Sequence, residues 1–282
     1  MNSLPNGVRS AERLANYTSF RIGGPAELFA EPSTMEELLG LIQMANKSGI
    51  PISVIGGGTN CLVGDRGLSG LVLRLGKGFR TVELLNTDQD DPALVRCGAA
   101  VITQRLVSLA AQHGWGDLEN MAGLPGQVGG AIAGNAQNIG RFVQDVTLVT
   151  FTGAIQRLTR DQLHFTYRYT AIPPGIITDV RCVFPRAAAQ ESSDRIRQAL
   201  CYRNETQETG LPSAGCAFKN PSGESAGRLI DLAGLKGTRI GDAQVSRRHA
   251  NFIVNLGFAT CDDVLSLMEH IQRCVDLRFG IR

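Results

Sequence analysis

Two glycine-rich clusters are the segments of this chain whose residue types and spacing indicate ligand binding. In the first, VIGGGTNCLVGD at 54–65, Gly56, Gly57 and Gly58 follow an apolar run and precede Thr59 and Asn60. Consecutive residues without side chains expose bare backbone N–H groups, an arrangement that can cradle a phosphate. A tight turn after a strand, with nothing bound, would also use glycine. This stretch alone does not separate the two interpretations.

The second cluster, GLPGQVGGAIAGNAQ at 123–137, permits another close approach to the backbone, and Asn135 and Gln137 add amide groups at its end. Its spacing has the form of the dinucleotide turn G-x-G-x-x-G. However, no clear strand precedes it, and no acidic residue follows about 20 positions later beside a new strand. A nicotinamide-binding Rossmann unit is therefore not favoured. Two clusters in successive parts of the chain favour one long, phosphate-containing cofactor with the length of a dinucleotide.

Composition narrows the function classes. The 282 residues are 43% hydrophobic and 19% charged, which is typical of a soluble globular protein with two or three compact units. A net charge of +2 without a dense Lys/Arg run gives no reason to expect nucleic acid as a partner. No apolar stretch approaches the roughly 18 residues that span a membrane. Seven scattered cysteines and no apolar signal segment predict reduced thiols in the cytoplasm. The oligomeric state stays open, and a monomer is compatible with the sequence.

Hydrophobic periodicity predicts an α+β protein whose helices and strands carry the clusters. A strand enters the first cluster, and a polar Ala/Ser-rich connector is expected at 185–195. Helices are predicted at 35–49, 101–115, 194–207, 225–235 and 261–279, with strands at 70–75, 146–151, 155–158, 176–184 and 251–256. The pattern divides the chain into three consecutive segments, 1–75, 76–187 and 188–282.

Several motifs in this order resemble one enzyme family over nearly the whole chain. They are NYTSFRIGGPA (16–26), VIGGGTNCLV (54–63), GLPGQVGGAIAGNA (123–136), YRYT (167–170), LPSAGCAFKNP (211–221) and AGRLIDLAGLKGTRIGDAQVSRRHANFIVN (226–255). The chain resembles the UDP-N-acetylenolpyruvoylglucosamine reductase family, also called UDP-N-acetylmuramate dehydrogenase. SAGCAFKNP and the AGRLIDLAGLKG block are specific to that family. The chain is similar to the shorter subclass, which lacks a Tyr-bearing loop insertion in the substrate domain.

The resemblance implies a two-part FAD-binding region of the p-cresol-methylhydroxylase type, at 1–75 and 76–187, followed by an α+β substrate-binding domain. The flavin would be bound non-covalently, because neither glycine cluster contains a histidine. By this resemblance the cofactor-binding residues are Ser19, Phe20, Gly56, Gly57, Gly58, Thr59, Asn60, Gly123, Gly129, Gly130, Asn135 and Ala136.

The implied reaction is the reduction of UDP-N-acetylglucosamine enolpyruvate to UDP-N-acetylmuramate, driven by NADPH as co-substrate. Hydride addition to the enolpyruvyl β-carbon builds negative charge beside a carboxylate, so the reaction needs a fixed cation and a proton donor. Arg168 matches the family's enolate-stabilising arginine, although on composition alone it would be a surface arginine in a strand. Cys216 stands where many members carry a serine proton donor. A thiol is a better acid than a hydroxyl, whereas an isolated cysteine would be an inert packing residue.

The nucleotide-sugar end would be bound by a further group of residues. Lys219 offers a point charge for the diphosphate, and Asn220 offers an amide hydrogen bond. Tyr167 and Arg203 are additional substrate-binding candidates. His249 resembles a substrate-side position, and a core histidine with satisfied hydrogen bonds explains it equally well. The resemblance gives no metal site.

One departure from the family pattern leaves a second function open. In the family, a helix ending in Phe-Gly and an apolar residue is followed by L-x-x-E-V, whose glutamate completes the site. This sequence ends with FGIR, at 279–282. We therefore expect either a truncated version of a normal reductase or a catalytically impaired homologue that binds FAD and UDP-sugar without efficient turnover.

Overall fold

The chain forms two compact units in the computed structural model, which describes residues 7–86 and 92–282. Unit 1 holds the described residues of Met1–Ser10, Leu28–Gly57 and Gly70–Tyr202. Unit 2 holds Ala11–Glu27, Gly58–Ser69 and Arg203–Arg282. The division falls inside the first glycine cluster, between Gly57 and Gly58. The domain boundaries predicted at 75 and 187 divide the chain into segments that are consecutive in sequence, whereas the two units are defined by contacts in space. The predicted boundaries therefore stay a prediction.

A four-stranded sheet leads into the first glycine cluster. Its strands in spatial order are β1 (Val8–Arg13), β2 (Pro25–Ala30), β4 (Leu68–Leu73) and β3 (Ile52–Val54). The helix predicted at 35–49 is confirmed as α1 (Met35–Lys47), and the side chain of Thr34 caps it by accepting the Glu37 N–H. Strand β3 runs parallel to β4 with Val54 opposite Leu73. The sheet thus fixes the point at which the glycine turn leaves.

Unit 1 also contains a five-stranded antiparallel sheet with the strand order β5-β6-β9-β7-β8. The predicted strands near 146–151, 155–158 and 176–184 are confirmed, as is the helix near 101–115. The short helix α3, within the second glycine cluster, was not predicted. The elements are β5 (Val82–Leu84), β6 (Ala93–Gly98), α2 (Thr103–His113), α3 (Val128–Ala133), β7 (Val143–Thr150), β8 (Ile155–Thr159), α4 (Arg160–Leu163) and β9 (Gly175–Phe184).

Helix α5 (Ala189–Thr206) corrects the expected connector at 185–195, because it begins at Ala189. The Ala, Gln, Glu and Arg residues of this segment favour a helix intrinsically. The Glu191–Arg195 ion pair, four residues apart, adds local support. Its apolar residues Ile196, Ala199 and Leu200 are partly buried against the core, but residues 189–195 include no large apolar side chain. The hydrophobic pattern therefore did not reveal the first turns of the helix.

Unit 2 is built on a smaller antiparallel sheet with the order β10-β13-β12-β11. The predicted strand at 251–256 and the helices near 225–235 and 261–279 are confirmed. Thr260 and Asp263 form a capping box at the start of the last helix. The elements are β10 (Ser213–Cys216), α6 (Ala226–Leu232), β11 (Arg239–Ile240), β12 (Ala243–Val245), β13 (Phe252–Asn255) and α7 (Cys261–Phe279).

Two side chains attach the N-terminal segments of unit 2 to its C-terminal part. Asp65 accepts the N–H groups of Cys261 at 2.9 Å and Asp262 at 3.3 Å, at the first turn of α7. Asn255 is buried and donates to the Phe20 carbonyl at 3.0 Å. A carboxylate at a helix N-terminus also interacts favourably with the helix dipole. The end of the first glycine motif is therefore anchored to α7.

The missing side chains at Gly57 and Gly58 make room for the chain's own backbone. A Cβ atom on Gly57 would lie 2.9 Å from the Cα of Gly126, in the second cluster. A Cβ atom on Gly58 would overlap the carbonyl oxygen of Tyr17, and Gly58 also has φ +63°. Only glycine fits this combination of backbone conformation and close approach.

We predict that Gly58→Ala lowers the free energy of unfolding by roughly 2–4 kcal/mol, because it combines a left-handed conformation with backbone overlap. Gly64→Ala is the matched control in the same loop, since a Cβ there meets nothing within 4 Å. The control should change stability by about 0.5 kcal/mol or less. Urea unfolding of the flavin-free protein measures both. Equal stability of the two variants would contradict the close approach at Gly58.

Candidate active site

The structure brings the two glycine clusters into contact within unit 1. Besides the Gly57–Gly126 approach, a Cβ on Gly56 would lie 3.4 Å from Oε1 of Gln127. In the described part of the chain, the N–H groups of Gly56, Gly57 and Gly58 have no hydrogen-bond acceptor. Three consecutive N–H groups without acceptors are suited to an anionic oxygen ligand such as a phosphate.

Ser19 and Phe20 support the turn from within unit 2. The Ser19 N–H donates to the Gly58 carbonyl at 3.0 Å, and its hydroxyl donates to the Ser213 carbonyl at 2.6 Å. The Phe20 side chain is only 4% exposed and packs in the hydrophobic core of the unit. Thr59 is half-buried and Asn60 is exposed. Both Ser19 and Phe20 have protein partners here, and their contact with a cofactor stays a prediction.

The glycines of the second cluster have different surroundings. Gly123 is held by its N–H, which donates to the Gln104 side chain at 2.8 Å. A Cβ on Gly129 would lie 2.9 Å from the Cβ of Ala99, so that glycine is required for packing. Gly130 is exposed, and a Cβ there would meet nothing within 4 Å. Gly130 therefore leaves open space next to the backbone of α3, whereas Gly129 does not.

The chain after α3 is held in a sparsely populated backbone conformation. Asn135, Gln137 and Asn138 all have positive φ angles, of 42°, 50° and 59°. The Asn135 side chain is buried and contacts protein atoms on both sides, while Ala136 begins a short 3₁₀ segment. Backbone strain of this kind persists only when surrounding contacts hold it in place.

Arg168 lies at the tip of an exposed turn in unit 1, next to Tyr167. Thr166 and Tyr169 close the turn through reciprocal backbone hydrogen bonds of 3.0 and 3.3 Å. Arg168 itself has φ +56°, and it is exposed. Tyr167 is also exposed, at 59% of its surface. The turn presents a permanently charged guanidinium to solvent.

Cys216 lies at the end of β10, where the pairing with β13 is irregular. The register shifts between Ser213 and Cys216, and Gly215 between them has φ +78°. Such bulges re-aim side chains next to functional sites. The Cys216 thiol is half-buried. Burial lowers the pKa of the Arg203 guanidinium, and negative charge on Cys216 acts in the opposite direction. Arg203 is therefore within electrostatic range of the thiol.

The segment after Cys216 is clamped by a buried asparagine. Asn251 accepts the Phe218 N–H and donates to the Phe218 carbonyl, each at 2.9 Å. Asn220 accepts the N–H of Ala226 through its side-chain oxygen at 3.1 Å, at the start of α6. Lys219, between them, is exposed. The clamp leaves the ammonium group of Lys219 on the surface of unit 2.

His249 has the contacts expected of a histidine in a structural role. Its Nδ1 accepts the Asn251 N–H at 3.2 Å, and its ring packs against Phe252 with the ring centroids 4.6 Å apart. Burial is the largest cause that lowers the pKa of His249, and the charge of Lys236 lowers it further against a backbone hydrogen bond. Both effects favour the neutral ring, and a substrate contact stays a prediction.

The cysteines are all free thiols, as expected, but their environments differ. Burial raises the pKa of Cys97 to about 12 and that of Cys182 well above its usual value. Both are therefore unreactive at neutral pH. No group of three or more metal-ligating side chains occurs within residues 7–86 and 92–282. In the same ranges, none of the helices has the length and apolar character needed to cross a bilayer.

The predicted site residues are found in both units. Tyr167, Arg168 and the second glycine cluster belong to unit 1, and Arg203, Cys216 and the residues that follow belong to unit 2. The sequence interpretation missed three supporting residues, Asp65, Thr170 and Asn251. Thr170 and Asn251 both lay within motifs used for the resemblance, at 167–170 and 226–255, but nothing in the local sequence marked them as buried.

Comparison with known families matches both parts of the chain. A family model described as an FAD binding domain matches residues 26–159. A second, described as the C-terminal domain of UDP-N-acetylenolpyruvoylglucosamine reductase, matches residues 206–282. A cholesterol oxidase from Brevibacterium sterolicum shares the fold alone, with 16% identity, 66% of this chain and 39% of that chain covered, and a TM-score of 0.50. The predicted α+β class with an FAD-binding region is confirmed.

Relatives align along almost the entire chain. UDP-N-acetylenolpyruvoylglucosamine reductase 2 of Symbiobacterium thermophilum is 39% identical, covering 99% of this chain and 90% of its own. The Geotalea uraniireducens reductase is 40% identical, covering 99% and 92%. A crystal structure of the Thermus caldophilus reductase is 37% identical, covers 94% of each chain and has a TM-score of 0.80. On this similarity, the chain belongs to the UDP-N-acetylenolpyruvoylglucosamine reductase family.

Proposed function

We propose that this protein is an FAD-dependent enzyme that uses NADPH to reduce UDP-N-acetylglucosamine enolpyruvate to UDP-N-acetylmuramate, a precursor of peptidoglycan. The observation that carries the proposal is the near full-length similarity to reductases of that name, with both halves matched by the corresponding family models. A nucleotide-sugar substrate and reduced thiols favour a reaction in the cytoplasm, and the weak net charge gives no reason to expect a nucleic-acid partner.

The residues of the first cluster fit the phosphates of FAD. The N–H groups of Gly56, Gly57 and Gly58, which lack acceptors among the described residues, would bind phosphate oxygens, and Thr59 and Asn60 would add side-chain contacts. Bound FAD would supply the hydride-transfer chemistry between the nicotinamide and the enolpyruvyl double bond. Gly130 would line the flavin, because its face of α3 is open.

Arg168 would stabilise the charge that develops during reduction. Hydride addition to the β-carbon leaves an electron pair on the α-carbon, delocalised into the neighbouring carboxylate. A guanidinium group can bind both carboxylate oxygens, and it stays protonated at every working pH. The Arg168 guanidinium stabilises the transition state most effectively if its position is fixed, because a preorganised charge needs no further rearrangement during the reaction.

Cys216 would then protonate the α-carbon and complete the addition of hydride and proton across the double bond. The resulting thiolate carries a negative charge, and the nearby Arg203 guanidinium would stabilise it until it regains a proton from solvent. The bulge at Gly215 supports the assignment, since it sets the direction of the Cys216 side chain at the end of β10.

The sugar-nucleotide end would be bound by a group of residues that the sequence motifs single out. Lys219 would bind the diphosphate as a point charge, and the side-chain NH₂ of Asn220 would donate a hydrogen bond. Tyr167 is exposed next to Arg168 and would contact the substrate there. For His249 we propose at most a contact through Nε2, because Nδ1 has a backbone partner.

We predict that the purified chain is yellow and releases its flavin on heating or in acid, because neither glycine cluster contains a histidine that could bind it covalently. Absorbance of the supernatant after acid precipitation measures the release. The same preparation should oxidise NADPH only when the enolpyruvyl sugar is supplied. A colourless protein that takes up no added FAD, or a flavoprotein that ignores the sugar, would contradict the proposed function.

Arg168→Lys should lower turnover by roughly 10²-fold or more while flavin content stays the same, because lysine keeps the charge and loses the two-pronged geometry. Arg160→Lys is a suitable control, since Arg160 is an exposed arginine in the preceding helix α4. Steady-state rates and the flavin-to-protein absorbance ratio are compared. Turnover equal to that of the control would show that Arg168 has no catalytic role.

Cys216→Ala should separate the two half-reactions. Flavin reduction by NADPH needs no proton donor and should stay within about twofold of the wild-type rate. Reoxidation by the sugar should slow by about 10²–10⁴-fold. Cys216→Ser should restore part of the rate. Cys274→Ala is the control, because Cys274 is equally half-buried in unit 2. Stopped-flow flavin absorbance resolves both halves, and an equal effect on them would exclude the proton-donor role.

A further inference from the structure

The turn that carries Arg168 cannot hold its conformation through its own contacts. It is exposed, it is closed by the two backbone hydrogen bonds between Thr166 and Tyr169, and it places a non-glycine residue at φ +56°. A further backbone hydrogen bond, from the Ala171 N–H to the Leu163 carbonyl at 2.7 Å, lies outside the turn. A side chain in the left-handed region is disfavoured, so an isolated turn of this kind would adopt other conformations. Contacts outside the turn must therefore select this one.

Two buried side chains provide these contacts, and both connect the turn to the end of α3. The hydroxyl of Thr170, directly after the turn, donates to the Ile132 carbonyl at 2.6 Å. The side-chain NH₂ of Asn135 donates to the Thr166 carbonyl at 2.8 Å. Thr170 and Asn135 are each only 5% exposed. Hydrogen bonds excluded from water restrict a backbone more strongly than exposed ones.

Asn135 is itself fixed from the other side. Its side-chain oxygen accepts the Gly140 N–H at 3.0 Å, so the amide connects two backbone segments at once. Its φ of +42° suits asparagine, which tolerates the left-handed region better than most residues. Gly140 in turn leaves room for the Phe165 ring, which a Cβ would overlap. The segments before and after the turn are thus packed on the same support.

We infer that Asn135 and Thr170 are positioning residues that fix the Arg168 turn to the C-terminal end of α3. This inference rests on the proposed function, in which Arg168 binds the substrate carboxylate. The same short helix carries Gly129 and Gly130 at its start. Helix α3 therefore sets the position of the Arg168 turn relative to the backbone of Gly130, which is proposed to line the flavin. Both the turn and Gly130 belong to unit 1.

Proteolysis of the flavin-free protein tests the support directly. Trypsin cleaves after arginine, and cleavage of the Arg168–Tyr169 bond reports how often the turn opens. Thr170→Val removes the hydroxyl and keeps the shape. Asn135→Asp keeps the oxygen that accepts from Gly140 and loses the group that donates to Thr166. Each should raise the cleavage rate at this bond by on the order of fivefold.

Thr178→Val is the matched control for the proteolysis. Thr178 is 2% exposed, and its hydroxyl also donates to a backbone carbonyl of unit 1, that of Thr147 at 3.3 Å. It lies in β9, outside the turn and its support. Its cleavage rate at Arg168 should equal that of the wild type. If Thr170→Val and Asn135→Asp both match this control, the inference is overturned.

Half-reaction kinetics then separate positioning from general stability. Thr170→Val should slow flavin reoxidation by the enolpyruvyl sugar by about tenfold, through kcat more than KM, because misplacing a charge weakens transition-state binding. Flavin reduction by NADPH should change by less than about twofold. In an Arg168→Lys background the same substitution should have a much smaller effect, since both changes act on one group.

The outcomes distinguish this inference from the proposed function. If Arg168→Lys leaves reoxidation unchanged, the proposed role of Arg168 fails, and the proteolysis still decides whether the turn is supported. If Arg168→Lys slows flavin reoxidation, the variant that combines Thr170→Val with Arg168→Lys decides whether Thr170 acts through Arg168. A Thr170→Val effect of full size in the Arg168→Lys background would overturn the positioning role, as would equal slowing of both half-reactions.

Discussion

The contact of backbone with backbone at the glycine clusters is the constraint on which the remaining structure depends. At Gly57 the chain approaches the Cα of Gly126, and at Gly58 it lies against the Tyr17 carbonyl. A methyl group at either position would push apart segments that are distant in sequence. The same absence of side chains leaves N–H groups without acceptors among the described residues. Glycine there thus serves packing and binding together, and the two interpretations of the motif are compatible.

The elements that local signals encode could be predicted. The α7 helix begins at the capping box of Thr260 and Asp263, and α1 begins at the cap formed by Thr34, so their bounds follow from neighbouring residues. The first turns of α5 could not be predicted, because residues 189–195 include no large apolar side chain and so show no hydrophobic period. Strands β10 to β12 have two to four residues each, too few for an alternating pattern to stand out.

For the candidate site, the motifs identified which residues to consider and could not identify their partners. Asn251 holds the backbone on both sides of Phe218, and Asn135 holds Thr166, across sequence separations of 33 and 31 residues. Nothing in the local sequence distinguishes a buried asparagine of this kind from an exposed one in a loop. Its role follows from burial, because a buried amide must find hydrogen-bond partners. The fold supplies that information, and a motif does not.

The anchoring of Asp65 to α7 has a consequence for how the chain is made. The N–H groups that donate to the Asp65 carboxylate belong to residues 196 and 197 positions later in the sequence. During vectorial synthesis at 5–20 residues per second, about 10–40 s pass between the two. In that interval the apolar side chains of Phe20 and Ile22 have no core to enter, since that core is formed largely by residues beyond 228. The nascent chain is therefore expected to expose Phe20 and Ile22 until the last helix has been synthesised.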